Sequence, residues 1–178
     1  MKAIVKVERN RGGIQVVDIA PPVMKEYDVL VKIRNASICG SDVHAYNFAP
    51  THHFIEPPII MGHECSGEVV DVGARVSHFK PGERVVIEAI DYCGNCEPCL
   101  KGLTNICNAF KIRGMHCDGV FTEYVAVSQN YLHKIPDTLS FETACLVEPT
   151  SVLAHAILER STIKPGDLVL VTGPGPIG

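Results

Sequence analysis

The hydrophobic pattern of the first half of the chain has mainly the period of β-strands. Residues 2–7 and 14–19 alternate well enough for two strands joined through Gly12-Gly13, and Pro21-Pro22 closes that unit. From Asp28 to Ile38 the alternation resumes, with Val29, Val31, Ile33 and Asn35 on one face, as in a half-buried strand. Further strands are predicted over 68–76, with Gly73 as a bulge or bend, and over 84–88, 120–127 and 131–135. Cys39-Gly40-Ser41-Asp42 reads as a loop opening a short helix from Ser41, and residues 50–58, rich in Pro and His, read as irregular. Phe141–Leu158 has a helical period interrupted at Pro149, which can begin a second helix. A turn at 164–167 leads to a final apolar strand at 168–171. Many short strands with turn signals predict a mainly β domain, a barrel or sandwich, while the closing helix and strand belong to a separate α/β unit.

One stretch fits neither period. Residues 92–110 carry no strand or helix signal, so something other than a hydrophobic core must hold them. That stretch contains Cys93, Cys96, Cys99 and Cys107. Four thiolates at such short spacing can wrap one tetrahedral zinc ion, and a site closed by four sulfurs is structural. Disulfides, an iron–sulfur cluster, a redox switch or idle thiols are the alternatives.

Composition narrows the rest. The chain has 178 residues, 46% hydrophobic but only 6% aromatic, with no Trp, so its core is built of Val, Ile, Leu and Ala. A formal net charge of −4 makes it a poor partner for nucleic acid or an anionic membrane. The N-terminus lacks the pattern of a secretory signal, and no uncharged apolar run is long enough to span a bilayer. The expectation is a cytoplasmic protein, in which clustered cysteines hold metal more readily than disulfides.

Outside the cluster, Cys39, His63 with Glu64, and Glu148 offer a thiolate, an imidazole and one or two carboxylates. Such a set suits a catalytic zinc with room for substrate. Spacing alone does not assemble them. Gly173, Gly175 and Gly178 follow the predicted last strand in the arrangement that lets a backbone approach a pyrophosphate. The chain stops there, so it reads as a fragment of a longer polypeptide. His52, His53, His78, His116, His133 and His155 have no ligand spacing and read as surface residues. Tyr46, Phe48, Phe54 and Phe110 are equally pocket or core candidates, and Cys65, Cys117 and Cys145 read as buried thiols.

Four motifs in order, Cys39-Gly-Ser-Asp-x-His44, Gly62-His63-Glu64, the Cys93–Cys107 lobe and Gly173-x-Gly175-x-x-Gly178, resemble those of the zinc-dependent medium-chain dehydrogenases. The chain is most similar to the sorbitol (polyol) and threonine 3-dehydrogenase branches. The resemblance implies a GroES-like, partly open β barrel with short helices and a zinc lobe over 1–150, and the first elements of a truncated Rossmann domain over 151–178. It implies one catalytic and one structural zinc. Cys39 and His63 are then ligands, Glu64 ligates or swings in, and Glu148 stands at a third ligand position, where Glu followed by Pro favours the polyol branch. Asp42 would orient the zinc-bound His63, and Ser41 and His44 would relay a proton. The implied reaction is oxidation of a small-molecule secondary alcohol to a ketone with NAD or NADP bound through the three glycines, in a homo-oligomer (dimer or tetramer). A zinc-stabilised binding module without redox activity and a zinc-free quinone reductase relative are the rivals.

Overall fold

The computed structural model describes residues 1–173 and 175–178; Pro174, inside the predicted phosphate loop, lies outside the described residues. In chain order the strands are β1 (Lys2–Lys6), β2 (Ile14–Asp18), β3 (Asp28–Ser37), β4 (Ile59–Ile60), β5 (Glu64–Val72), β6 (Arg84–Ile87), β7 (Ile90–Asp91), β8 (Lys111–Ile112), β9 (Tyr124–Ser128) and β10 (Leu132–Lys134). The helices are α1 (Gly40–Tyr46), α2 (Glu97–Leu100), α3 (Phe141–Ala144) and α4 (Val147–Ala154).

The strands form a five-stranded sheet, β10-β6-β5-β3-β9, a three-stranded sheet, β2-β1-β4, and a two-stranded clip, β7-β8. Every pairing between these strands is antiparallel. The two larger sheets meet where Ile4 N–H donates to the Phe121 carbonyl (2.8 Å) and Ala3 bridges Thr122. That junction curls them into a partly open barrel. Val29, Val31, Val69, Val85, Val120 and Val127 fill it, each essentially without solvent contact. These β-branched side chains suit the pleated, half-buried surface that the sequence pattern specifies.

Several boundaries differ from the expectation. β5 starts at Glu64, not 68, because its first four residues are buried without alternation: one face meets the barrel and α3 covers the other, where Ser66 Oγ donates to the Phe141 carbonyl (2.6 Å). Gly73 falls just past β5, where a Cβ would lie 2.4 Å from the carbonyls of Lys25 and Glu26. β9 begins at Tyr124 rather than Val120. The helical stretch breaks at Cys145–Leu146, and Pro149 sits within the first turn of α4, where its missing N–H leaves no bond unmade. Residues 92–110 contain one short helix, α2, and one 3-10 turn. The predicted strand over 168–171 is absent. A strand exists only through ladder partners, none stands beside it among the described residues, and Leu168 and Leu170 are fully exposed.

Candidate metal centres and proton path

The pairing of β3 with β5 builds the first site. Register shifts between Leu30 and Val31 and between Ile33 and Asn35 bring Ser37 opposite Glu64. Cys39, just past the end of β3, and His63, just before β5, therefore emerge together at one end of this central strand pair. The ligand atoms of Cys39, His63 and Glu64 all lie within 4.8 Å of one another, and His63 and Glu64 are each only 5% exposed. Donors on one tetrahedral ion stand roughly 3.3–3.8 Å apart, so adjustments of about 1 Å would close this set on a metal.

Local bonds hold each donor. Ser37 Oγ donates a short hydrogen bond to Glu64. Asp42, third residue of α1, accepts the N–H of Cys39 (2.9 Å), which starts the helix immediately after the thiol. Ser41 Oγ lies 3.4 Å from His63 Nε2. Asp42 Oδ1 and His63 Nδ1 are both buried without a hydrogen-bond partner, so the expected Asp42–His63 bond is not made. Each retains capacity for a bond that would orient a ligated imidazole. Burial pushes the Asp42 carboxyl above its ordinary range; the Cys39 N–H and then His63 pull the other way.

Glu148 on α4 stands outside the three-donor set but close to it. Burial raises its carboxyl, His63 draws it down and Glu64 pushes it up. His44 is on the exposed side of α1, its ring stacked on His52 at 5.3 Å.

Around the second cluster the chain closes on itself. The sulfurs of Cys93, Cys96, Cys99 and Cys107 lie within 4.8 Å of one another, with Cys96–Cys99 at 3.4 Å and Cys96–Cys107 at 3.8 Å. A disulfide needs about 2.05 Å, whereas the edge of a tetrahedron with zinc–sulfur bonds of about 2.3 Å is roughly 3.8 Å. Backbone N–H groups of Cys93 and Ala109 point at Cys107 Sγ (both 3.3 Å), and that of Cys96 at Cys93 Sγ (3.4 Å). Such donors favour thiolate: the backbone N–H groups of Cys99 and Asn108 bring Cys96 down to about 6, and that of Cys93 leads in lowering Cys107. Cys99 is pushed up to about 12 by desolvation and then by its sulfur neighbours. Four crowded sulfurs without a cation cannot all ionise, and a dication removes that conflict. The lobe is tied to the barrel by β7-β8 and by Arg113, whose guanidinium lies 2.6 Å from Asp91 and 5.8 Å from the Tyr131 ring centre.

Sequence reasoning missed Ser37, the Arg113–Asp91 pair and the stacking of His52 on His44. It also missed the packing role of three glycines behind His63, Gly62 of the Gly-His-Glu motif among them: a Cβ on Gly62, Gly114 or Gly119 would strike Phe121 or the Gly62 backbone. None has a local signal, because each acts on a residue distant in sequence. Gly173, Gly175 and Gly178 lie in exposed chain outside any strand or helix.

Residues 25–137 match the family model of the Alcohol dehydrogenase GroES-like domain, and the chain belongs to that family. It is 39% identical over 180 residues to a sorbitol dehydrogenase of Bacillus subtilis, covering 100% of this chain and 50% of that protein. It is also 39% identical over 179 residues to an L-threonine 3-dehydrogenase of Shewanella baltica, covering 100% of this chain and 52% of that protein. Among solved structures, an NAD-dependent alcohol dehydrogenase superposes with a TM-score of 0.85 at 31% identity, over 94% of this chain and 49% of that one. The chain thus spans about half the length of the curated relatives it matches. No helix among the described residues is long and apolar enough to cross a membrane.

Proposed function

We propose that the chain is the catalytic part of a zinc-dependent oxidoreductase that oxidises a secondary alcohol, a polyol or threonine-like amino alcohol, to the ketone with NAD or NADP as acceptor. The observation that carries the reading is the convergence of Cys39, His63 and Glu64 beside the Ser41 hydroxyl. Relatives acting on sorbitol and on threonine support the substrate class, and the NAD-dependent neighbour supports the acceptor. On this reading residues 1–150 form the catalytic domain and 151–178 open the nucleotide domain, whose Gly173, Gly175 and Gly178 would approach the pyrophosphate. The working enzyme is a cytoplasmic homo-oligomer.

Cys39, His63 and Glu64 would hold the catalytic ion, with Glu148 close enough to exchange into the set; Cys93, Cys96, Cys99 and Cys107 would hold the structural one. Zinc, when bound, supplies a Lewis acid that lowers the pKa of a substrate hydroxyl. Asp42 keeps the Cys39 end of α1 in place and offers its free oxygen to His63 Nδ1–H. Ser41 Oγ both accepts and donates, so it can take the hydroxyl proton and pass it on. His44, with its ring toward solvent, receives that proton and releases it to water.

Metal analysis of the chain should find two zinc ions. Cys39→Ser should lose one of them and, in the full-length enzyme, lose alcohol oxidation while staying folded. A panel of polyols, threonine and butanediol with NAD and NADP would identify the substrate. A single ion held only by the four-cysteine lobe, or full activity in Cys39→Ser, would refute the assignment.

A further inference from the structure

The His44 ring does not stand free on α1. It stacks on His52, centroids 5.3 Å apart and planes 29° apart. His52 is itself fixed from three sides. Its backbone N–H donates to the Ala49 carbonyl (2.8 Å), its Nδ1 lies 3.0 Å from Thr51 Oγ1, and its ring meets that of Phe54 at 5.9 Å. Phe54 in turn stacks on His116 at 4.8 Å, and His116 Nδ1 is held by the Ile112 N–H (3.2 Å). A row of rings thus runs from α1 to the strand that closes the cysteine lobe, and His52 is the member touching His44.

We propose that His52 is a positioning residue for His44, an uncharged ring platform that holds the His44 imidazole while it carries a proton. The inference rests on the relay reading above and adds a residue to it. An imidazolium stacked on a neutral ring is attracted to its face, whereas two stacked imidazolium ions repel. The platform therefore works only if His52 stays neutral when His44 is charged. The surroundings favour this. Burial holds His52 below the ordinary histidine value, and His44 pushes it the same way; Asp42 on α1 draws it back. Thr51 and Phe54, which also contact it, carry no charge. The proton arrives at His44, leaves from His44 to water, and at no point resides on His52.

The test is an NMR titration of the ring protons in the purified, zinc-loaded protein, with alcohol oxidation followed separately. The expected result is ring-to-ring NOEs between His44 and His52 and a His52 midpoint below the ordinary histidine value. The His44 charge 5.3 Å away pushes His52 down, so His44→Gln should raise the His52 midpoint. His52→Phe should keep the His44 ring ordered, whereas His52→Ala should free it and lower kcat several-fold with little change in KM. The wild-type spectra need no variant to fold: absent NOEs, or a His52 midpoint at or above the ordinary value, overturn the proposal. So does a His52 midpoint unmoved by His44→Gln. A protein that gives the expected NMR responses but oxidises no alcohol keeps the ring platform and sinks the enzymatic reading instead.

Discussion

Replacing Gly119 by Ala adds one methyl group at a point where the structure has no room for it. The new Cβ would lie 2.2 Å from the Gly62 carbonyl oxygen, 2.5 Å from that of Met61 and 2.7 Å from the Met61 carbonyl carbon. All three are backbone atoms, so no rotamer change relieves the clash. The φ of Gly119 is not in the left-handed region, so the effect is purely steric. Ordinary contact begins near 3.4 Å, and the two segments must part by about 1 Å. Three bonds staple them: Gly119 N–H to Ile60 (2.8 Å), Val120 N–H to Gly62 (3.0 Å) and Phe121 N–H to Met61 (2.8 Å). Overpacking costs about 1–3 kcal/mol, and losing one or two of these bonds adds about 1 kcal/mol each. The expected loss is therefore about 3 kcal/mol, a large share of a domain's typical stability. His63 follows Gly62 directly, so the displacement should also disturb the grouping of Cys39, His63 and Glu64. The control is Gly40→Ala at the start of α1, where a Cβ meets nothing within 4 Å and φ is unstrained. It should be neutral or stabilise by up to about 1 kcal/mol. Urea unfolding of the zinc-loaded variants measures both. A Gly119→Ala protein within about 0.5 kcal/mol of wild type would refute the packing argument.

Two further outcomes follow from buried charges. Lys6 is 2% exposed, with Nζ donating to the carbonyls of Asn10 and Gly12 (both 2.6 Å), and burial holds its ammonium below the ordinary 10.5. As pH rises toward 10.5 the folded state releases this proton before the unfolded state does, so wild type should gain stability relative to Lys6→Met through that window. At neutral pH Lys6→Met should cost about 1–3 kcal/mol through two orphaned carbonyls, measured by urea unfolding across pH; a flat difference would contradict the pH argument. Arg113→Met leaves Asp91 without its cation. It should cost about 3 kcal/mol, the low end for a buried pair, because Asp91 keeps 26% of its side-chain surface in solvent. Adding Asp91→Leu should recover most of the loss, and a double variant no better than the single one would show that the pair is not the cause.

The ease of reading this chain depended on distance. The four-cysteine lobe was legible whole, because Cys93 to Cys107 lie on one loop and their spacing is itself the geometry. β1 and β3 were legible because buried and more exposed positions alternate along them, and the residue types record that alternation. The first half of β5 was not, since Glu64-Cys65-Ser66-Gly67 is buried on both faces and burial on both faces erases alternation. The strand predicted over 168–171 shows the opposite error. An apolar run supplies side chains for a sheet, but the ladder partners must come from elsewhere.

By itself the sequence determined which donors exist, their chemical softness, and one complete loop of four clustered cysteines. For Cys39, His63, Glu64 and Glu148 it provided only a resemblance, with no physical reason for them to meet. The tertiary structure supplied that reason for the first three, while Glu148 stands outside their set. Two register shifts in the β3–β5 pairing set Ser37 opposite Glu64, and this alignment puts Cys39 and His63 at the same end of two neighbouring strands. It also decided what no motif stated: that Gly62, Gly114 and Gly119 let three segments cross behind His63, and that His52 stacks on the ring of His44. Residue type is a local property, written once per position. Which residues share a site is set by strand register and close packing, and these arise only when distant segments exclude water together.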